Sequence, residues 1–404
     1  SLREAAPILV QAPLSGDAEG RSDASAATDP KRTGSLRSNF APPSSAVSAI
    51  NERAEQTCLR MKQCARSLDG STLDLLSFAG SEHLIRASSL YTILKSGARV
   101  FKNSAGSAKT FALSRQVEQI DGFLSHNWCV PRRRKYMALI VHFNMGIAAL
   151  MTALVMMAII IASAITKDFP HLDISSDLSY PEGICCQIAC VPIFVLMLVF
   201  CREFGHCLGL DGPVLFLDKT CIHQVNKDLQ REGIKKLGAF IFNSKQMVVL
   251  FSDLYLRKLW TIYEVASFLV LHPIHHLHIL PISTSAAVIF GLTIIYASQM
   301  LLLVFMSLAG STLVAGAITN AVMTYLVASF FRRSGKARLA MEAGLADFTV
   351  SECMCAVEAD RPVVYERIAS LMKASQLVPA DASDDDALAR FDALVRTNIP
   401  VALQ

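Results

Sequence analysis

The sequence predicts an α/β domain, a parallel sheet with helices on both faces, joined to four transmembrane α-helices in two hairpins. Three observations predict it. Short, wholly apolar runs alternate with helical patterns, as in sheets buried on both sides. Long stretches carry no Asp, Glu, Lys or Arg. Only 18% of the 404 residues are charged and 52% are hydrophobic, with mean hydropathy +0.40, whereas a soluble domain carries roughly 25% charged residues. The formal net charge of +4 is too small for a nucleic-acid interface, so the membrane is the expected partner and nucleic acid is not. Of eleven cysteines, Cys185, Cys186, Cys190 and Cys201 lie inside apolar runs, which suits reduced thiols better than a secreted disulfide framework.

Residues 1–115 are expected to be a mostly disordered N-terminal region. Their first half is rich in Ala, Ser and Pro, as at Ala41-Pro42-Pro43-Ser44-Ser45, and holds no sustained apolar period. Short helical patterns such as Leu73, Leu75, Leu76 and Phe78 follow without an assignable role. Order is expected over residues 116–130, where Ile120-Asp121-Gly122-Phe123-Leu124 runs into polar Ser125-His126-Asn127 as a strand meeting a loop.

The first hairpin spans residues 137–201. Met137 to Ile165 is uncharged and long enough to cross a bilayer, and Ile184 to Cys201 reaches the lower limit. The second spans 286–331, as helices 286–309 and 312–331 about a turn at Gly310-Ser311, inside an uncharged run from Ile279 to Phe331. Arg132, Arg133, Arg134, Lys135, Arg202, Arg332, Arg333, Lys336 and Arg338 flank the spans on one side, against Lys167 on the other. By the positive-inside rule both termini and the α/β domain are then cytoplasmic. Arg132 to Lys135 are expected to anchor the first span at anionic headgroups.

Residues 210–282 form the main part of the domain. Pro213-Val214-Leu215-Phe216-Leu217 reads as a second strand. A helix over 228–242, capped by Asp228, leads to a third strand, Met247 to Phe251. Ser252-Asp253 can cap a helix through Trp260 and Glu264 to about Leu271, and His278 to Ile282 reads as a fourth strand. Residues 340–376 are expected to complete the domain with a strand at Asp347–Ser351 and a helix from Pro362. Residues 377–404 hold an amphipathic tail helix capped at Ser383, with Leu388, Phe391, Leu394 and Val395 on its apolar side.

In an open parallel sheet, ligands bind beyond the carboxyl ends of the strands. The candidates there are Ser125, His126 and Asn127, then Asp218 and Lys219, then Ser252 and Asp253, with Glu264 on the following helix. His272, His275, His276 and His278 straddle a helix end and a short strand; they read as a solvated or interfacial cluster, and no metal is assigned. Within the spans His142, Asn144, Gln187, Gln299 and Asn320 are the strongly polar residues, as expected of helix-to-helix hydrogen bonds.

Several motifs in series resemble the Toll/interleukin receptor (TIR) domain. They are Phe123-Leu124-Ser125, Phe216-Leu217-Asp218, the helix Ile234 to Ser244, Val248-Val249-Leu250-Phe251-Ser252, Tyr255, Leu259-Trp260-Thr261-Ile262-Tyr263-Glu264, and Leu280-Pro281-Ile282. The segment Asp218-Lys219-Thr220-Cys221-Ile222-His223-Gln224 also resembles heterokaryon-incompatibility domains, which are similar to TIR domains. The resemblance implies a flavodoxin-like sheet and self-association into homo-oligomers. In catalytic members it implies a glutamate four residues after the tryptophan that cleaves NAD; here that residue is Glu264, with Ser125, His126, Asp218, Lys219 and Trp260 lining the cofactor cleft and Trp260 packing beside Glu264. A fixed carboxylate there would stabilise the positive charge that builds on the ribose as the C–N bond breaks. No resident cofactor is assigned, and NAD enters as the substrate of the enzyme reading. Three functions stay open: signalling or assembly through the TIR-like domain, NAD glycohydrolase activity, and small-solute or ion transport.

Overall fold

The computed structural model describes residues 76–166, 171–172, 182–252, 254–309 and 313–402. Of the region 1–115 expected to be mostly disordered, residues 1–75 lie outside them, as do the turn at Gly310-Ser311 and Asp253; residues 76–115 instead form short helices and two strands held by pairing in the sheet, which corrects that expectation. A six-stranded sheet organises the chain. Its strands are β1 (Arg86–Ser89), β2 (Arg115–Gln116), β3 (Ile120–His126), β6 (Val214–Phe216), β7 (Ser244–Phe251) and β8 (Leu277–Pro281), while β4 (His171–Leu172) and β5 (Glu182–Gly183) pair separately with each other. The order is β2-β1-β6-β3-β7-β8. β6, β3, β7 and β8 are mutually parallel, and β1 is antiparallel to both β6 and β2.

The four parallel strands are the four expected from the apolar runs. β3 lies between β6 and β7, with Phe123 opposite both Phe216 and Met247, so segments on either side of the first hairpin complete one ladder. Direction along the sheet reverses after β6, which puts the switch point between β3 and β7.

Side chains alternate across these strands. On one face Phe123, Phe216, Met247, Val249 and Phe251 pack against α7 (Leu237–Phe242), α8 (Leu259–Leu271), α11 (Arg361–Ala374) and α12 (Asp384–Ala402). Phe123, Phe216, Phe240 and Phe78 form an aromatic ladder with successive centroids 4.7, 4.3 and 4.8 Å apart. On the other face Leu124, Leu215, Leu217, Val248 and Leu250 pack against α1 (Leu90–Ala98), α3 (Arg132–Thr166), α4 (Ile184–Cys207) and the first residue of α9 (Ile282–Ala309).

That second layer is made largely of the apolar helices themselves. α3 has 35 residues, about 52 Å at 1.5 Å per residue, against a hydrocarbon core of about 30 Å. The excess covers the sheet: Lys135, Ala138, Leu139 and Ile140 are buried, and the exposed large apolar side chains begin at Met145. At that level Arg202 donates to Asn144 Oδ1 and to the carbonyl of Phe143, both at 2.8 Å, and lies against Gly212 just before β6. The Asn144 amide donates to the carbonyl of Leu198 (3.0 Å). The apolar continuation therefore leaves the sheet at the amino ends of its parallel strands, and the carboxyl ends point away from it.

Three described helices are long and apolar enough to cross a membrane, Arg132–Thr166, Cys185–Cys207 and Ile282–Leu301. The fourth expected span falls in α10 (Leu313–Ala346), many of whose side chains lie outside the described residues. Pro192 sits inside α4 and leaves the carbonyl four residues earlier without its helical donor. That carbonyl, of Ile188, accepts the hydroxyl of Tyr296 from α9 at 2.7 Å, so the bond joins α4 to α9. Tyr296→Phe is expected to lower stability by roughly 0.5–1.5 kcal/mol, seen as a lower melting temperature in detergent; an unchanged melt would show that the bond contributes nothing.

Several expectations need correction. The helix over 228–242 is two, α6 (Lys227–Lys235) and α7, broken at Lys236, and Asn226 rather than Asp228 supplies the cap. α8 begins after a 3-10 turn, Tyr255–Arg257, without a side-chain cap. Asp347–Ser351 adds no strand: the Val350 amide donates to Asp392 Oδ1 and the Phe348 carbonyl accepts from Arg396, both side chains of α12, so the backbone is taken before it can join the ladder. Arg132 to Arg134 begin α3 at the carboxyl edge of the sheet, about 20 Å of helix from Met145, where the exposed large apolar side chains begin. The tail helix is capped at Ser383 and buries Ala387, Phe391, Val395 and Ile399 at helical spacing.

Candidate functional site

The carboxyl ends of β3, β6 and β7 bring the candidate residues into two clusters on opposite faces of the sheet. On the α8 face, Ser125 sits one residue from the end of β3. Its hydroxyl bonds Glu264 Oε2 on α8 and the hydroxyl of Tyr255 on the turn after β7, both at 2.5 Å. That turn is pinned by Thr261, whose hydroxyl donates to the Tyr255 and Lys258 carbonyls. Residues far apart in sequence thus form one chain of hydroxyl, hydroxyl and carboxyl at the switch point.

Electrostatics sets its state. Burial pushes the Glu264 carboxyl up to about 8, against the Ser125 hydrogen bond, and the nearby charge of Asp218 adds to the rise. Glu264 is half-buried, with its carboxyl held inward by the Ser125 hydroxyl, so burial governs. Burial also raises the Tyr255 phenol well above its usual range. At neutral pH Glu264 is mainly protonated and can donate a proton; near pH 8 it can supply a carboxylate to a developing cation.

On the membrane-helix face stands an aromatic and cationic cluster. The His126 ring lies edge-on to Trp128 and Phe101, with centroids 4.5 and 5.0 Å away. Burial holds it well below the ordinary histidine range, and the charges of Lys135 and Lys219 act the same way. Asp218 links the clusters: one oxygen accepts from Trp128 Nε1 at 3.0 Å and the other from the Lys219 amide at 2.7 Å. Burial raises its carboxyl in spite of these donors. The Lys219 ammonium donates to the carbonyls of Val100 and Asn103 and to Asn103 Oδ1, at 3.0, 2.7 and 3.0 Å.

Ser125 and Glu264 therefore converge, while His126 and Lys219 stand on the other face and Asp218, bonded to Trp128 and Lys219, reaches Glu264 through its charge alone. Trp260 lies elsewhere. Its indole donates to Asp360 Oδ2 at 3.4 Å, and Arg367 lies 5.8 Å from its ring. It ties α8 to α11, and the hydrogen bond on Glu264 comes from Ser125 instead, whose hydroxyl is also bonded by Tyr255. Ser252 is next to the site with its buried hydroxyl unbonded. His272 stacks on Phe268 with centroids 4.4 Å apart, and His278 bonds Gln246, so these two histidines serve packing and the strand edge.

Sequence reasoning missed the parts played by Tyr255, Trp128, Phe101, Asn103 and Lys135. Tyr255 and Trp128 stand beside strand ends, where proximity alone could have drawn attention to them. Phe101 and Asn103 come from a segment without apolar periodicity. No protein-family model, curated protein or solved structure matches the chain.

Proposed function

We propose that the chain is an integral membrane protein with four transmembrane helices, cytoplasmic termini and a cytoplasmic TIR-like, flavodoxin-like domain that acts in signalling or assembly as a homo-oligomer. The observation that carries this reading is that α3 is both a candidate span and part of the sheet's covering layer, buried at Ala138, Leu139 and Ile140. A load on the strand ends reaches the membrane helix through packed side chains, with no flexible linker between. Asn144 spends its amide on Arg202 and Leu198, which favours a helix-joining role for this polar group over a transport path. Light scattering of the full chain in detergent is expected to find an oligomer; a monomer across the accessible concentration range would refute assembly.

A second reading, NAD glycohydrolase, is favoured by one observation: Glu264 is held by Ser125 at the switch point with a carboxyl raised to about 8, as functional carboxyls often are. The purified full chain supplied with NAD is expected to release nicotinamide, faster as pH rises toward 8. Glu264→Ala is expected to slow release by roughly 100-fold or more, as loss of a general acid or charge stabiliser does. No release from intact, assembled protein removes the enzyme reading.

A further inference from the structure

Three polar side chains beyond the end of β3 are buried without a hydrogen-bond partner, among the described residues, on the atom that matters. The Lys135 ammonium belongs to a side chain with no exposed surface, and no acceptor lies within its reach. Asn127, 5% exposed, uses its oxygen to accept the Cys129 amide and leaves Nδ2 unbonded. His126, 7% exposed, leaves Nε2 unbonded. Lys135 and His126 share one wall: Lys135 Nζ lies 4.9 Å from the Trp128 ring and 5.1 Å from that of Phe101, the same two rings that flank His126, and Asn127 follows His126 directly in the chain.

A buried ammonium set against aromatic rings with no hydrogen-bond acceptor is costly, because cation–π attraction replaces a fraction of its lost hydration. Asp218 acts on it through its charge but makes no hydrogen bond to it, its oxygens accepting from Trp128 and the Lys219 amide instead. The neighbouring Lys219 shows the contrast, for its ammonium has three oxygen acceptors. What Lys135 and Asn127 lack is an acceptor, and beside a cation the best acceptor is an oxyanion.

We propose that Lys135, Asn127 and His126 form an oxyanion subsite that takes the phosphate group of a water-soluble phosphorylated ligand. The ammonium and the amide donate to phosphate oxygens, and His126 Nε2 meets a phosphate hydroxyl. The Trp128 and Phe101 rings form its apolar wall. The ligand comes from water rather than lipid, since Lys135 lies about 15 Å of helix before Met145, where the exposed apolar surface begins. The subsite includes the first turn of α3, so an occupant touches a candidate membrane helix directly. The proposal does not depend on glycosidic chemistry at Glu264.

The test is calorimetric titration of the full chain, in uncharged detergent, with inorganic phosphate and pyrophosphate, against sodium chloride at matched ionic strength and against vesicles containing phosphatidylinositol phosphates. Saturable binding of phosphate or pyrophosphate is expected, and Lys135→Met should weaken it by about 10- to 100-fold, the loss of one charge-assisted hydrogen bond. The same variant should melt at a higher temperature, since an unpaired buried charge has gone. Lys135→Arg should retain part of the binding. If Lys135→Met does not fold, Asn127→Ala, which leaves the ammonium in place, must show the weakening. Undiminished binding by the variants, absence of saturable binding by the parent, or binding only to the vesicles would overturn the proposal.

Discussion

Replacing Glu264 with Gln is expected to make the protein more stable than its parent above pH 8 and about equally stable at pH 5. The folded carboxyl titrates at about 8 and the ordinary value is 4.5. Between those values the native chain keeps a proton that the unfolded chain has lost, so raising pH through the window favours unfolding. The stabilisation is complete below the ordinary value and is lost as pH rises through the folded one. Allowing for residual solvent contact, roughly 2–4 kcal/mol is at stake. Asp218, also raised by burial, is present in both proteins, so the difference between their curves isolates Glu264. Gln keeps the size of the side chain and can donate to Ser125 at every pH. Thermal melts of the two proteins between pH 4 and 9 check this, and parallel curves would show that Glu264 is ionised in the folded protein.

Phe216→Ala should destabilise the domain by roughly 3–5 kcal/mol, the usual result of emptying a buried phenylalanine site. Phe216 is fully buried and stands between Phe123 and Phe240, so the cavity opens where strands from either side of the first hairpin meet. Leu208→Ala, at a position 77% exposed, should change stability by less than about 0.5 kcal/mol in detergent. Thermal or denaturant unfolding distinguishes the two. A small effect at Phe216 would mean that β3 and β6 do not share a core, and the site built on their ends would fall with it.

Much of this arrangement is legible in the sequence. The four parallel strands announce themselves as apolar runs, because a strand buried on both faces has no polar positions to interrupt it. Ser125, Asp218 and Glu264 follow from those strands, since polar residues at their carboxyl ends face the cleft. The tail helix follows from its cap and its apolar period. β1 was not legible: Arg-Ala-Ser-Ser is polar and small, and it is held by pairing with β6 and by the Ser88 hydroxyl donating to Thr220.

By itself the sequence determined what short-range pattern can encode: apolar strands, helices of membrane-crossing length, caps, and a carboxylate on the helix after β7. Tertiary structure alone decided which surfaces those elements share. It set Trp260 against α11, gave the Phe348–Val350 backbone to side chains of α12, linked Tyr296 to the carbonyl freed by Pro192, and enclosed Lys135 between two aromatic rings. The physical reason is that burial and hydrogen bonding belong to pairs of segments. A lysine at the head of an apolar helix has the same local pattern whether it meets water, a lipid headgroup or a Trp ring, and only the packing of the first turn of α3 against Trp128 and Phe101 selects among them.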